Sequence, residues 1–124
     1  MKAYTDLEQS KKLAEILPIE SADMRYERVC FDRPPEKCWY VKLNPPFKSD
    51  DIIPCWSLAA LLGVIPKHIK NYNVLRIDID ENTFAIWYDE IGYGVNNDLP
   101  NITMESAVDA CYEMILKLHE LKLL

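Results

Sequence analysis

From Val74 to Asp80 the chain alternates without interruption, Leu75, Ile77 and Ile79 against Arg76, Asp78 and Asp80. The alternation returns from Phe84 to Glu90, with Phe84, Ile86 and Tyr88 on one side. A side-chain period of two marks a strand that buries one face. The intervening Glu81-Asn82-Thr83 has the length and polarity of a hairpin turn. This stretch commits the chain to antiparallel pairing. A hairpin alone is marginal in water, so its apolar face needs cover from elsewhere in the chain.

The cover is legible at the far end. Thr103 or Ser106 can cap a helix beginning near residues 104 to 107, and Asp109 stands three places beyond Ser106 at capping-box spacing. At about 100° per residue, Met114, Ala107, Leu118, Cys111, Ile115, Val108 and Tyr112 share one side. Asp109, Glu113, Lys117 and Glu120 share the other, and Glu113 precedes Lys117 in the favourable i, i+4 order. The same angular count places His119 in the apolar arc, where its position near a helix C-terminus suits a structural role.

Thr5-Asp6-Leu7-Glu8 is a second capping-box pattern, opening a helix with Leu7, Leu13, Ala14 and Leu17 on one flank that Pro18 stops at about Leu17. Met24 to Phe31 and Cys38 to Leu43 read as a first hairpin across the polar turn Asp32 to Lys37. Asn44 to Pro54 reads as a loop. Pro54 then suits the first position of a short, largely buried helix in CWSLAALLGVI, ended by Gly63 and Pro66. Ile91 to Pro100, which holds Gly92 and Gly94, reads as a mobile loop. The order α, hairpin, α, hairpin, α predicts an α+β fold: a four-stranded antiparallel sheet packed with three helices, on one face or both.

At 124 residues the chain is expected to form one domain, 1–124. A net charge of -6 disfavours direct binding to nucleic acid, which needs clustered Lys and Arg to displace counterions. No stretch of 18 apolar residues occurs, and MKAYTDLEQSKK lacks the apolar core of a signal peptide, so a cytoplasmic protein without membrane association is expected. Cys30, Cys38, Cys55 and Cys111 include no C-x-x-C spacing and are expected to be free thiols rather than zinc ligands.

Motifs for catalysis are missing. Ser57 has no G-x-S-x-G around it, there is no H-E-x-x-H, and three glycines cannot build a phosphate-cradling loop. His68 lies in the basic run Lys67-His68-Ile69-Lys70 with no nucleophile nearby in sequence, and Cys111 and His119 are about 12 Å apart along one helix. Asp78, Asp80, Asn82 and Asp89 imitate calcium-loop positions, but Thr83 stands where glycine is needed and the flanks alternate like strands. No catalytic residue, metal or cofactor is therefore assigned. Asn101-Ile102-Thr103 is a glycosylation pattern without meaning in a cytoplasmic chain. What remains is acidic: Asp78, Asp80, Glu81, Asp89 and Glu90 gather on and around one hairpin, a field that can attract a basic protein surface. Tyr93, between two glycines, is expected to be exposed beside them.

The blocks TDLEQSKKLAEILPIESADM, CWSLAALLGVIP and VDACYEMILKLHELKLL together resemble a family of short uncharacterised proteins of phages and mobile elements in anaerobic gut bacteria. The last block is also similar to the terminal helix of the phage α-β-α sandwich domain. The resemblance implies a cytoplasmic setting and a compact sandwich, and it carries over no functional residue. The resulting expectation is a small non-enzymatic accessory or regulatory protein of a phage or mobile element. It would bind a host or phage protein with a basic surface through the acidic hairpin or the 91 to 100 loop. The alternative is a small-molecule site or hydrolytic enzyme assembled from residues distant in sequence. Oligomeric state is open, since a strand edge or the Leu116 and Leu121 flank offers surface for a second copy.

Overall fold

The computed structural model describes residues 2–28 and 39–124, and these fall into two compact units, Ala3–Ala60 and Lys2 with Leu61–Leu124. Among the described residues the fold is α+β with three α-helices and antiparallel sheets, as the sequence predicts, but the single four-stranded sheet is replaced by one sheet of three strands and another of five. The strands missed in the sequence, Ile52–Cys55, His68–Ile69, Gly94–Val95 and Ile102–Met104, have two to four residues each. Runs that short cannot display a period.

In the unit Ala3–Ala60, α1 (Leu7–Ala14) is capped by Asp6, whose carboxylate accepts the Gln9 amide at 2.8 Å while the Gln9 side chain accepts the Asp6 amide at 3.1 Å. The capping box thus sits one residue later than Thr5-x-x-Glu8, and the helix ends at Ala14 rather than Leu17. Thr5 is free to do something else. Fully buried, it receives the Trp56 amide on Oγ1 (3.1 Å), donates its own amide to the Trp56 carbonyl (2.9 Å) and shares a hydrogen bond with the Ser10 hydroxyl (2.8 Å). Its carbonyl takes the Tyr26 hydroxyl at 2.9 Å.

Three strands, β1 (Met24–Arg28), β2 (Trp39–Lys42) and β3 (Ile52–Cys55), form an antiparallel sheet in the order β2-β1-β3. The predicted first hairpin is present as β1 and β2; Cys30, Cys38 and the Asp32 to Lys37 turn lie outside the described residues. The expected loop Asn44 to Pro54 ends instead in β3. The bond from the Arg28 amide to the Asp51 carbonyl sets the alternation, so Pro54, opposite Arg25, occupies a non-hydrogen-bonded position with its nitrogen turned off the sheet. An edge strand tolerates proline there. Pro54 therefore does not open a helix. Trp56 is buried with its indole donating to Ser21, and α2 (Leu58–Val64) begins only after Ser57, which accepts the Ala60 amide and is held by Asp23. Leu61 is the one fully buried residue of this helix, which is shorter and less enclosed than predicted.

The unit Leu61–Leu124 is organised on β6 (Phe84–Glu90). Along one edge runs β5 (Asn73–Ile79), itself flanked by the two-residue β4 (His68–Ile69); on the other edge lie β7 (Gly94–Val95) and β8 (Ile102–Met104). The predicted hairpin is present, closed by the Asp80 amide on the Thr83 carbonyl. Helix α3 (Ala107–Glu120) packs on β6 and β8, with Ser106 as the cap for Asp109. Val108, Cys111, Met114, Ile115 and Leu118 are fully buried, each contributing about 1.5–3 kcal/mol where a large side chain leaves water. Beneath them Phe84, Ile86 and Tyr88 are buried, and the Tyr88 hydroxyl reaches the Pro66 carbonyl at 2.7 Å. His119 is exposed rather than part of the apolar arc, because the helix is covered only along the stripe that Leu118 still shares.

Two outcomes are expected. Thr5→Val leaves the buried Trp56 amide without its acceptor and should cost about 1–3 kcal/mol in urea unfolding, whereas Ser10→Ala removes a hydroxyl that Thr5 can do without and should cost less. Burial raises the thiols of Cys55 and Cys111, the latter to about 12 from an ordinary 9.0, and the phenols of Tyr26 and Tyr88 above their ordinary 10.0. The folded state holds these protons more tightly, so their contribution is intact below about pH 9 and is lost as pH rises beyond it. Unfolding free energy should fall from pH 9 towards pH 12, and Tyr88→Phe should flatten the decline.

Candidate functional site

Register divides the acidic residues that cluster in the sequence. Asp78 faces Ala85 and Asp80 faces Thr83 near the hairpin tip, with Glu81 in the turn. Asp89 faces Val74 and Glu90 faces Asn73 at the opposite end. Four residues of strand put about 13 Å between these rows. Asp78, Asp80 and Glu81 form one exposed group, while Asp89 is engaged by two neighbours, the Arg76 guanidinium at 3.2 Å and the Trp87 indole at 2.8 Å. That engagement removes most of Asp89 from the acidic surface. The separation also leaves no calcium-like loop, since Asp78 and Asp89 stand on opposite ends of a ladder.

Glu90 turns to the other face, beside a groove of about 360 Å³ that includes Ile69, Lys70, Asn73 and Asn96 in its lining. Its central amides are occupied. Asn73 donates to the Ile69 carbonyl (3.1 Å) and accepts from Asn96 (2.8 Å), whose oxygen takes the Asp98 amide (2.9 Å). These groups tie the 91 to 100 segment to β5 rather than point towards a ligand. Lys70 and Asn71 in the adjoining turn both have positive φ, 55° and 64°, as do Gly92 and Gly94 at 89° and 83°. Glycine adopts that conformation without steric penalty, which lets the chain reverse in the tight turn that carries Tyr93. Tyr93 is 84% exposed, as its setting predicts, but it belongs to the Glu90 end and stands apart from the Asp78 group.

Sequence reasoning missed the most distinctive feature of this hairpin, the outer edge of β5. Leu75, Ile77 and Ile79 lie on the face of β5 that continues the buried face of β6, so all three were expected in the core. Instead Leu75 is partly covered, Ile77 is 40% exposed and Ile79 is 75% exposed. Helix α3 sits over β6 and β8 and stops short of this margin. Nor does β4 extend to it: the Leu75 amide reaches the Lys67 carbonyl at 2.9 Å, and β4 pairs no further along. Because Asp80 and Thr83 form a bonded pair, Arg76 and Asp78 direct their backbone groups towards β6, and Ile77 and Ile79 direct theirs outward. Among the described residues, no strand meets those outward groups. The only hint in the sequence was the length of the alternating run, which gives β5 seven residues against the two of β4 on its outer edge.

Among the described residues the thiols offer no nucleophile. Cys55 and Cys111 are wholly buried and burial pushes both thiols up, away from the thiolate that would react. Among the described residues no helix is long and apolar enough to cross a membrane.

Comparison with family models, curated proteins and solved structures returned no match.

Asn73→Ala breaks the amide chain at its buried member. It should cost about 1–3 kcal/mol and speed amide exchange through residues 91–100, with little change in β8 or α3. Exchange mass spectrometry alongside urea unfolding measures both.

Proposed function

We propose that this chain is a non-enzymatic protein-binding factor, an accessory or regulatory protein acting on a partner with a basic surface, and that the tip of the β5–β6 hairpin is its recognition surface. The observation that carries this reading is the juxtaposition at that tip. Exposed Ile77 and Ile79 supply apolar area, and the exposed carboxylates of Asp78, Asp80 and Glu81 surround it with one sign of charge. An apolar centre with a charged rim is the arrangement on which protein interfaces are built, and the charge sets the partner's sign. The setting in a phage or mobile element, with a host or phage protein as the partner, rests on the sequence resemblance and belongs to the same proposal, as does cytoplasmic residence. The groove at the Glu90 end supports a small-molecule reading less well, since its amides already satisfy one another.

Affinity capture from host lysate tests the proposal with three baits: the unaltered chain, Asp78→Asn/Asp80→Asn, and Asp98→Asn/Glu105→Gln as a control that removes equal charge elsewhere. A basic protein retained by the first and third baits, lost from the second and released by moderate salt is the expected result. Capture that is identical for all three baits overturns the assignment to the hairpin tip.

A further inference from the structure

The geometry points to strand addition as the mode of recognition: an extended partner segment with alternating basic and apolar residues pairs antiparallel with β5 along Ile77–Ile79. This rests on the hairpin-tip reading and specifies how that tip binds. Ile77 and Ile79 present outward both a backbone donor and a backbone acceptor, so a single added strand can form four main-chain hydrogen bonds there. Main-chain bonds of this kind carry no sequence preference. Preference comes from the side chains that the new neighbour must face.

Those side chains define the partner. Residues directly opposite one another share a face, so the positions opposite Ile77 and Ile79 would add apolar area to the side where Phe84 and Ile86 are buried. The positions opposite Asp78 and Asp80 lie on the wet face, where Lys or Arg would meet a carboxylate across the pair. Read from its own N-terminus, the partner segment is basic, apolar, basic, apolar, facing Asp80, Ile79, Asp78 and Ile77 in turn. Arg76, already paired with Asp89, closes the recognised stretch at one end, and the Lys67 carbonyl on Leu75 blocks extension beyond it.

A second copy of this chain fits poorly, and the register arithmetic shows why. Pairing Ile77 with Ile77 of another copy would require Ile79 of that copy to lie opposite Leu75, where Lys67 stands. Pairing Ile77 with Ile79 puts Asp78 opposite Asp78. Pairing Ile79 with Ile79 puts Asp78 opposite Asp80 twice. Like charges directly opposite destabilise a ladder, so the same carboxylates that attract a basic strand repel an identical one.

The probe is the capped peptide Thr-Lys-Val-Lys-Val-Thr, with Thr-Glu-Val-Glu-Val-Thr as its charge-reversed counterpart, titrated into the full chain and followed by NMR amide exchange. The lysine peptide should slow exchange at Ile77 and Ile79 by roughly tenfold or more while Asp78, already bonded to β6, changes little. The glutamate peptide should have no such effect. Asp78→Lys/Asp80→Lys should exchange these preferences, a change confined to exposed side chains that leaves the ladder intact. Ile79→Pro deletes one outward donor at a position where the hairpin does not use it, and should abolish protection at Ile77 as well.

Uniform shifts at Asp78, Asp80 and Glu81 without protection of the two isoleucine amides would overturn strand addition. So would a captured partner lost on Asp78→Asn/Asp80→Asn but retained by Ile79→Pro, and in that case the hairpin-tip reading itself survives. A concentration-dependent dimer in sedimentation that Ile79→Pro abolishes would assign the edge to a second copy and overturn the choice of partner.

Discussion

Everything in the unit Leu61–Leu124 depends on β6 keeping both edges paired while one face stays dry. Its Phe84, Ile86 and Tyr88 meet α3, its backbone holds β5 on one side and both β7 and β8 on the other, and Tyr88 reaches the Pro66 carbonyl beyond the strand. A strand so placed can be mostly apolar on one face because its polar backbone groups meet neighbours along both edges. Its neighbour β5 lacks the second of those conditions over half its length. The difference between a central strand and an outer one, within one hairpin, is what turns a core element into a surface for recognition.

The hairpin pair β5–β6 and the helix α3 were legible in the sequence because each runs long enough to show a period, and α3 was bounded by a recognisable cap at Ser106. The three-stranded sheet was only half legible. Pro54 carries two compatible meanings, first turn of a helix or edge of a sheet, and only the register with Arg25 distinguishes them. Thr5 was misread for a related reason: Thr5 and Asp6 are both capping residues, and the choice fell to Asp6 once Trp56 claimed the threonine hydroxyl from far along the chain. Contacts of that range leave no local trace.

The acidic surface shows the same limit from the functional side. Charge is visible in a sequence, but a ladder decides which charges are neighbours. Asp78 and Asp80 lie two residues apart and remain a group, whereas Asp89 is drawn off by Arg76 and Trp87, and Glu90 emerges on the opposite face. The exposure of Ile77 and Ile79 was the reverse case, two residues whose pattern promised burial but which neither α3 nor the two-residue β4 reaches far enough to cover. Periodicity reports which face a residue occupies. It does not report whether that face is covered.

The junction at Thr5 also has a bearing on time. Tyr4 and Thr5 find their partners at Cys55, Trp56 and Ser57, with 51 positions separating the Thr5 hydroxyl from the amide it accepts. Closing a loop of that length costs a few kcal/mol of chain entropy before any contact compensates, while the β5–β6 hairpin closes on itself within about 1–10 µs. On a ribosome, α1 emerges before Ser57 and must wait, its buried face unsupplied, until that residue has left the exit tunnel. For that interval a segment already made stays unfinished.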